Sequence, residues 1–346
     1  MERQAEIEAD MAKATSAPIL TTPAAQNTEP EKTGTASEAY SDAFWNSIRN
    51  RNWIDVRNDL HVGTDTEGGY LVPDEFERKL IEALEEENIF RQMATVIKTS
   101  SGDRKIPIVT SKGDAVWMDE EEQYTLSDDT FGQASLSAYK LGTAIKISEE
   151  LLNDSVFDLP SYIAREFARR IGAKEEEAFF IGNGTGKPTG IFNATGGAQD
   201  GATTAGASIT FDDVMELFYS LRSPYRKKAV WVLNDSTVKA LRKLKDGNGN
   251  YIWQPSVAAG VPDTILNRPY KTSSYVPEIG AGKKCMAFGD FSYYWIADRS
   301  GRTFKRLNEL FAMTGQVGFL AMERLDGKLI LPEAVKTLKV KSGSGA

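Results

Sequence analysis

From Asp158 to Gly190 the chain reads DLPSYIAREFARRIGAKEEEAFFIGNGTGKPTG, and this stretch restricts the fold more than any other. Asp158 suits an N-cap, and Pro160 sits in a first helical turn where its missing N–H costs nothing. After Pro160 only Gly172 interrupts the run until Gly182. The prediction is a single helix. Ile163, Phe167, Ile171, Ala178 and Ile181 mark its apolar face, mostly in four-residue steps, while Arg165, Arg169, Arg170, Lys174, Glu175, Glu176 and Glu177 cover the rest. At 1.5 Å per residue the helix is roughly 35 Å long, above the globular average, which suits a spine shared by more than one lobe.

The loop that follows, Ile181 to Thr189, is the first place to test for chemistry, because its glycines and Lys187 resemble a phosphate-binding loop. That motif, G-x-x-x-x-G-K-[ST], needs a strand before it and a helix after it. Aligned on Gly186 and Lys187, the first glycine position is Ile181 and the magnesium-binding hydroxyl position is Pro188. The loop also follows a helix, and Pro188 removes an N–H that phosphate would use. The residues therefore predict a chain reversal whose glycines supply positive φ. A nucleotide-dependent enzyme is the rival reading.

The length of 346 residues allows a sizeable core and about two domains. No apolar run reaches the ~18 residues of a membrane span, and MERQAEIEADMAKA lacks a signal-peptide core, so a cytoplasmic protein with no membrane partner is expected. Cys285 and His61 are the single members of their types, which excludes a disulfide framework and a Cys/His metal site within one chain. A Ser-His-Asp arrangement would have to recruit His61 from a polar segment. A net charge of −8 opposes a chain whose main business is gripping nucleic acid. No catalytic, cofactor or metal site is expected.

Residues 1–36 pass from a short helical pattern into an Ala/Thr/Pro-rich tether. A second helical pattern follows from Ser37 to Leu60, with Tyr40, Phe44, Ile48 and Trp53 on one side, and then a turn-rich linker from His61 to Glu67. GGYLVPDEF leads from an extended arm into a helix capped by Asp74, with Phe76, Leu80, Ala83 and Leu84 as its buried stripe. Arg104 to Thr110 and Leu136 to Ser148 are predicted as the legs of a long ribbon; on the return leg Leu141, Ile145 and Ile147 alternate with polar or small residues. Its tip carries Asp119, Glu120, Glu121, Glu122, Asp128 and Asp129, either solvated or facing arginines, or less simply holding a divalent ion. An isolated ribbon is marginal in water, so a neighbouring subunit should support it.

Beyond GGAQDGATTAGAS, Thr210 and Asp213 form a capping pair, AVWVL at Ala229–Leu233 is a buried strand, and Asp235 starts a helix through Val238, Leu241 and Leu244. Arg226, Lys227, Lys228, Lys239, Arg242, Lys243 and Lys245 make this α/β lobe basic, as a solvated face or as a patch toward DNA or another subunit. From Cys285 the chain turns to strands, and Asp326-Gly327 between apolar runs predicts a hairpin turn.

Taken in order, the GGYLVP arm, the acidic-tipped ribbon, the long helix running into IGNGTGKPTGIF, the lobe with LKDGNGNYIW, and FGDFSYYWIADRSG followed by AMERLDG resemble the major capsid proteins of tailed bacteriophages. The resemblance runs from about Thr66 to Val340. It implies the α+β Hong Kong 97 capsid fold, divided as follows: a scaffold-like or flexible segment at 1–62, removable by a protease; an N-terminal arm and helix at 63–100; an extended loop at 101–147; a peripheral domain with spine helix and glycine loop at 148–206; an axial domain at 207–300; and return strands with a flexible tail at 301–346. It implies assembly through hexamers and pentamers into an icosahedral virion shell in the host cytoplasm. The implied partners are other copies, a portal protein, a maturation protease, a decoration protein, and packaged double-stranded DNA held without sequence preference. A bacterial nanocompartment shell enclosing protein cargo is the alternative within the fold.

Some members of that family cross-link covalently: a lysine attacks a neighbour's asparagine while a glutamate takes up the proton. Alignment with that pattern puts Tyr124, Gly315 and Met322 at the three positions. Glu323 and Asn308 stand nearby, but Trp117–Phe131 contains no lysine, so an uncross-linked shell is expected.

Overall fold

A computed structural model describes residues 36–49, 70–71, 74–99, 104–111, 130–153, 158–253, 263–307 and 310–342. The tether at 1–35, His61 and the acidic tip from Asp119 to Asp129 lie outside them.

In chain order, α1 (Glu38–Arg49), β1 (Tyr70–Leu71), α2 (Asp74–Glu87) and β2 (Thr95–Thr99) lead to the ribbon strands β3 (Arg104–Ser111) and β4 (Thr130–Leu136). Then come β5 (Tyr139–Ser148), α3 (Glu149–Asn153) and the spine α4 (Leu159–Ile181). The lobe follows with β6 (Gln199–Thr203), α5 (Phe211–Ser220), α6 (Ser223–Arg226), β7 (Val230–Leu233), α7 (Asp235–Arg242), β8 (Thr264–Ile265), β9 (Arg268–Thr272) and β10 (Lys284–Gly289). The last strands are β11 (Tyr294–Leu307), β12 (Gln316–Leu329) and β13 (Val335–Lys339).

The spine starts and stops where its sequence says. Asp158 accepts a hydrogen bond from the Ser161 amide, and the Gly182 amide closes the last turn on the Ala178 carbonyl at 2.8 Å. Its buried face is broader than the apolar pattern suggests, since Glu175, Glu176, Phe179 and Phe180 are buried while Ile181 is exposed. Glu175 and Glu176 therefore do not belong to the solvent face. The four-residue step through Ile163, Phe167 and Ile171 continues to Glu175 and Phe179, and burial follows geometry rather than polarity.

A five-stranded sheet lies against the first part of the spine, in the order β1-β11-β12-β5 with β2 also paired to β11. Its core joins Ile145, Ile147, Phe304 and Phe319 to Ile163, Phe167 and Ile171 of α4 and to Phe76, Leu80 and Leu84 of α2. The six-stranded sheet of the lobe, β6-β13-β10-β7-β9-β8, has its own core around Trp231, Phe288, Leu217 and Leu338. The Thr210–Asp213 capping box is formed as expected. In α7 the side chain of Asn234 caps the first turn, and the helix ends at Arg242, before Leu244.

Four further expectations are corrected. The strand Tyr139–Ser148 is not a ribbon leg: it pairs along its length with β12, and the ribbon is β3 with β4, Arg104 opposite Leu136. Period-two alternation identifies a half-buried strand without naming its partner, and here Ile145 and Ile147 pack on the spine. Second, α1 is docked rather than flexible: Tyr40 and Phe44 are buried, with the Phe44 ring 6.0 Å from that of Phe304. Third, the lobe is not continuous over 207–300. It recruits β6 and β13 from either side, whereas β11 crosses into the other sheet.

Fourth, Asp326-Gly327 makes no turn, because β12 runs through both residues opposite Ala297 and Ile296 of β11. Gly327 serves close approach. A Cβ there would stand 2.7 Å from the Tyr294 hydroxyl and 2.9 Å from the Phe179 ring. Asp326 in turn accepts from the Ser137 amide at 2.8 Å, holding the base of the ribbon to β12. Gly327→Ala is therefore expected to cost about 1 to 3 kcal/mol through overpacking against the fully buried Tyr294 and Phe179 rings; a denaturant midpoint equal to that of the unmodified protein would contradict it.

Candidate functional site

The glycine loop forms a closed turn, with Gly184 and Gly186 at φ of +76° and +68° as the turn reading requires. Its amides bond inward: Gly184 N–H to the Pro188 carbonyl at 3.3 Å, Thr185 N–H to Asn183 Oδ1 at 3.1 Å, and Gly190 N–H to the Gly182 carbonyl at 2.9 Å. Thr189 N–H donates to the Gly327 carbonyl at 2.9 Å, and the Tyr294 hydroxyl donates to the Thr189 carbonyl at 2.8 Å. Those amides are bonded within the protein and so are not free to cradle phosphate, and Lys187 is exposed. The loop pins the end of the spine to both β11 and β12.

The basic residues of the lobe are not one stripe. Arg226 stacks 5.5 Å from the centroid of Phe218 and 5.4 Å from that of Tyr219; Arg242 pairs with Asp263 and covers Trp253; Lys245 covers Tyr251. Lys227, Lys228, Lys239 and Lys243 are exposed. Cys285 is buried, and burial pushes its thiol up to about 12, which removes it as a nucleophile at neutral pH. Among the described residues no group of three or more His, Cys, Asp or Glu could hold a metal ion, and no helix is long and apolar enough to cross a membrane.

Of the three cross-linking positions, Gly315 and Met322 are among the described residues. Gly315 is an exposed turn residue at φ +62°, and Met322 sits in β12 opposite Thr303 and Gly142. Tyr124 and Asn308 lie outside the described residues. Glu323, the nearby carboxylate, is 4% exposed and accepts from Arg302 Nε at 3.0 Å, so it is not a base open to a neighbouring subunit.

The densest chemistry is a junction that the sequence pattern did not single out. Arg91 clamps Glu175 through Nε and Nη2 at 2.7 and 2.6 Å and reaches Asp298 through Nη1 at 2.8 Å. Arg302 joins Asp298, Glu323 and Glu77 at 3.3, 3.0 and 3.2 Å. Burial works to raise the Asp298 carboxyl, but the Arg91 and Arg302 guanidinium groups outweigh it and hold that carboxyl below its usual range. One residue on, Glu176 accepts from the Ile89 amide at 3.3 Å and from the Ser273 hydroxyl in the lobe. One turn of the spine thus grips the arm helix and sheet through Glu175 and the lobe through Glu176. The available signal was the four-residue step that lands a carboxylate on a buried face.

Known proteins agree with this architecture. Residues 68–340 match the family described as the phage capsid family. The major capsid protein of Klebsiella oxytoca phage phiKO2 is 26% identical over 237 residues, 65% of this chain and 54% of that protein; the chain spans about half the length of this curated relative. In structure it is similar to the capsid of a native GTA particle, with TM-score 0.64 and 28% identity over 73% of this chain and 90% of that one. Its likeness to Microbacterium phage Oxtober96, with TM-score 0.57 and 16% identity over 74% of this chain and 91% of that one, is one of fold alone. With most of its length matched by one family and an α+β architecture shared with capsid structures, the chain belongs to the phage capsid family.

Proposed function

We propose that this chain is a major capsid protein, copies of which assemble through hexamers and pentamers into an icosahedral shell around double-stranded DNA. The observation that carries the reading is the β3–β4 ribbon, a two-stranded sheet separate from both larger sheets and tied at its base to the five-stranded one. There Leu136 packs with Ala297 and Ile330, and Ser137 bonds Asp326. Two strands alone are marginal in water, so the ribbon's stability has to come from a surface outside the subunit, and another copy supplies it. No catalytic, cofactor or metal site is assigned. Packaged DNA would be held without sequence preference, and a portal protein, a maturation protease and a decoration protein complete the proposed set of partners.

Deleting Asp119–Asp129 is expected to abolish closed shells in negative-stain micrographs while leaving the far-ultraviolet circular dichroism of the subunit nearly unchanged. A full-length protein that stays monomeric at high concentration by ultracentrifugation would overturn the shell reading itself.

Proteolytic removal of the segment before Gly63 has to accommodate α1, since losing it uncovers Phe76 and Phe304. Mass spectrometry of subunits from mature particles is expected to find chains beginning near Gly63. Chains that retain Phe44 would show that α1 stays as a permanent part of the core.

Without a lysine between Trp117 and Phe131, and with Glu323 bonded to Arg302, the mature shell is expected to be held by non-covalent contacts. Particles boiled in detergent and reductant should run as one band at subunit mass; a ladder of multimers would contradict this.

A further inference from the structure

The junction around Glu175 contains more buried negative charge than its arginines can balance. Arg91 and Arg302 bring two positive charges; Glu175 and Glu323, both buried, and Asp298, largely so, would bring three negative ones, with Glu77 at the more exposed rim. Geometry repeats the mismatch. Both Glu175 oxygens accept from Arg91, and Oε2 also accepts from Asn88 Nδ2 at 3.3 Å. Glu323 Oε2 accepts from Arg302, but its buried Oε1 has no donor. Glu323 and Glu175 stand within hydrogen-bonding reach of each other. Two carboxylates are both acceptors, so their ionised forms repel there and leave an oxygen unsatisfied in a dry interior.

We propose that Glu323 is held as the neutral acid, its Oε1 proton donated to Glu175, so that the junction of arm, spine and sheet is a proton-dependent lock. Two guanidinium groups then face two buried carboxylates, and the orphaned oxygen becomes a donor. Arg302 of β11 bonds Glu323 directly, and the network around the pair brings in Glu77 from α2, Asn88 and Arg91 from the turn before β2, Glu175 from the spine and Asp298 from β11. From β5 the register partner of Glu323 is Leu141, which does not titrate. Burial first, and then the Glu175 carboxylate, push Glu323 well above the usual carboxylate range, with Arg302 and Arg91 opposing.

The sign follows. A carboxyl raised in the folded state binds more protons there than in the unfolded chain. Its stabilising contribution is complete below the unfolded value, about 4.3, and is lost as pH rises through the folded value. Asp298, held low, acts oppositely and weakens the fold as pH falls through its own folded value.

The test uses the full chain at one fixed concentration. At pH 7 the infrared spectrum of folded protein should contain the carbonyl stretch of a protonated carboxylic acid, and Glu323→Gln should remove it. From pH 5 to 9 the folding equilibrium constant of the unmodified protein should fall relative to Glu323→Gln by up to about tenfold per pH unit. If Glu323→Gln does not fold, labelling the glutamate side-chain carboxyls of the unmodified protein with carbon-13 serves instead: the band should shift to lower frequency, and a band that stays in place would assign the proton to an aspartate. A spectrum without the band in the unmodified protein, a band that survives the substitution, or parallel pH profiles would each overturn the proposal.

Discussion

The neighbouring carboxylates Glu175 and Glu176 on one turn of the spine are what the remaining architecture depends on. Glu175 is held by Arg91, and through Arg91 and Arg302 the five-stranded sheet and α2 are tied to it. Glu176 turns the other way, to Ser273 at the end of β9 in the lobe. The apolar cores on either side are separate clusters, one around Phe167 and Phe304 and one around Trp231 and Phe288, with a third around Phe90, Phe179 and Tyr294 between them. Apolar packing alone is tolerant of sliding. A buried two-point guanidinium–carboxylate contact fixes direction as well as distance, and removing one partner would leave a charge uncompensated in the interior.

The spine was legible because caps, proline placement and four-residue spacing all agreed, and local signals of that kind survive into the structure. The strands were legible as strands but not as partners. Tyr139–Ser148 alternates clearly, yet its partner β12 lies more than 150 residues later in the chain, and nothing local chooses β12 over the nearer ribbon leg. Asp326-Gly327 failed for another reason. The same dipeptide that suits a tight turn also suits a strand that must admit Tyr294 and Phe179 against its backbone, and only the packing distinguishes the two uses. In the spine itself, polarity hid Glu175 and Glu176 from a pattern that counts apolar residues, although their spacing marked them as inward-facing. The lobe boundaries were missed because β6 and β13 join its sheet from both flanks.

Burial, charge clusters and shifted titration are usually taken as signs of an active site, since catalytic groups need tuned acidity. Here the same features sit where the arm, spine and sheet meet. Asp298, Arg302 and Glu323 face one another inside the junction, the Tyr294 hydroxyl is buried against the glycine loop, and the Cys285 thiol is enclosed in the lobe. Arg91 and Arg302 each bond carboxylates from two or more elements of distant sequence, as a joint requires. Under the proposed assembly, a subunit whose ribbon is held by its neighbours gains from directional contacts at the point where its sheet, spine and lobe meet. On this view the titratable residues do mechanical work: they set how firmly the spine is held, and the outer surface is left free for contacts with other copies.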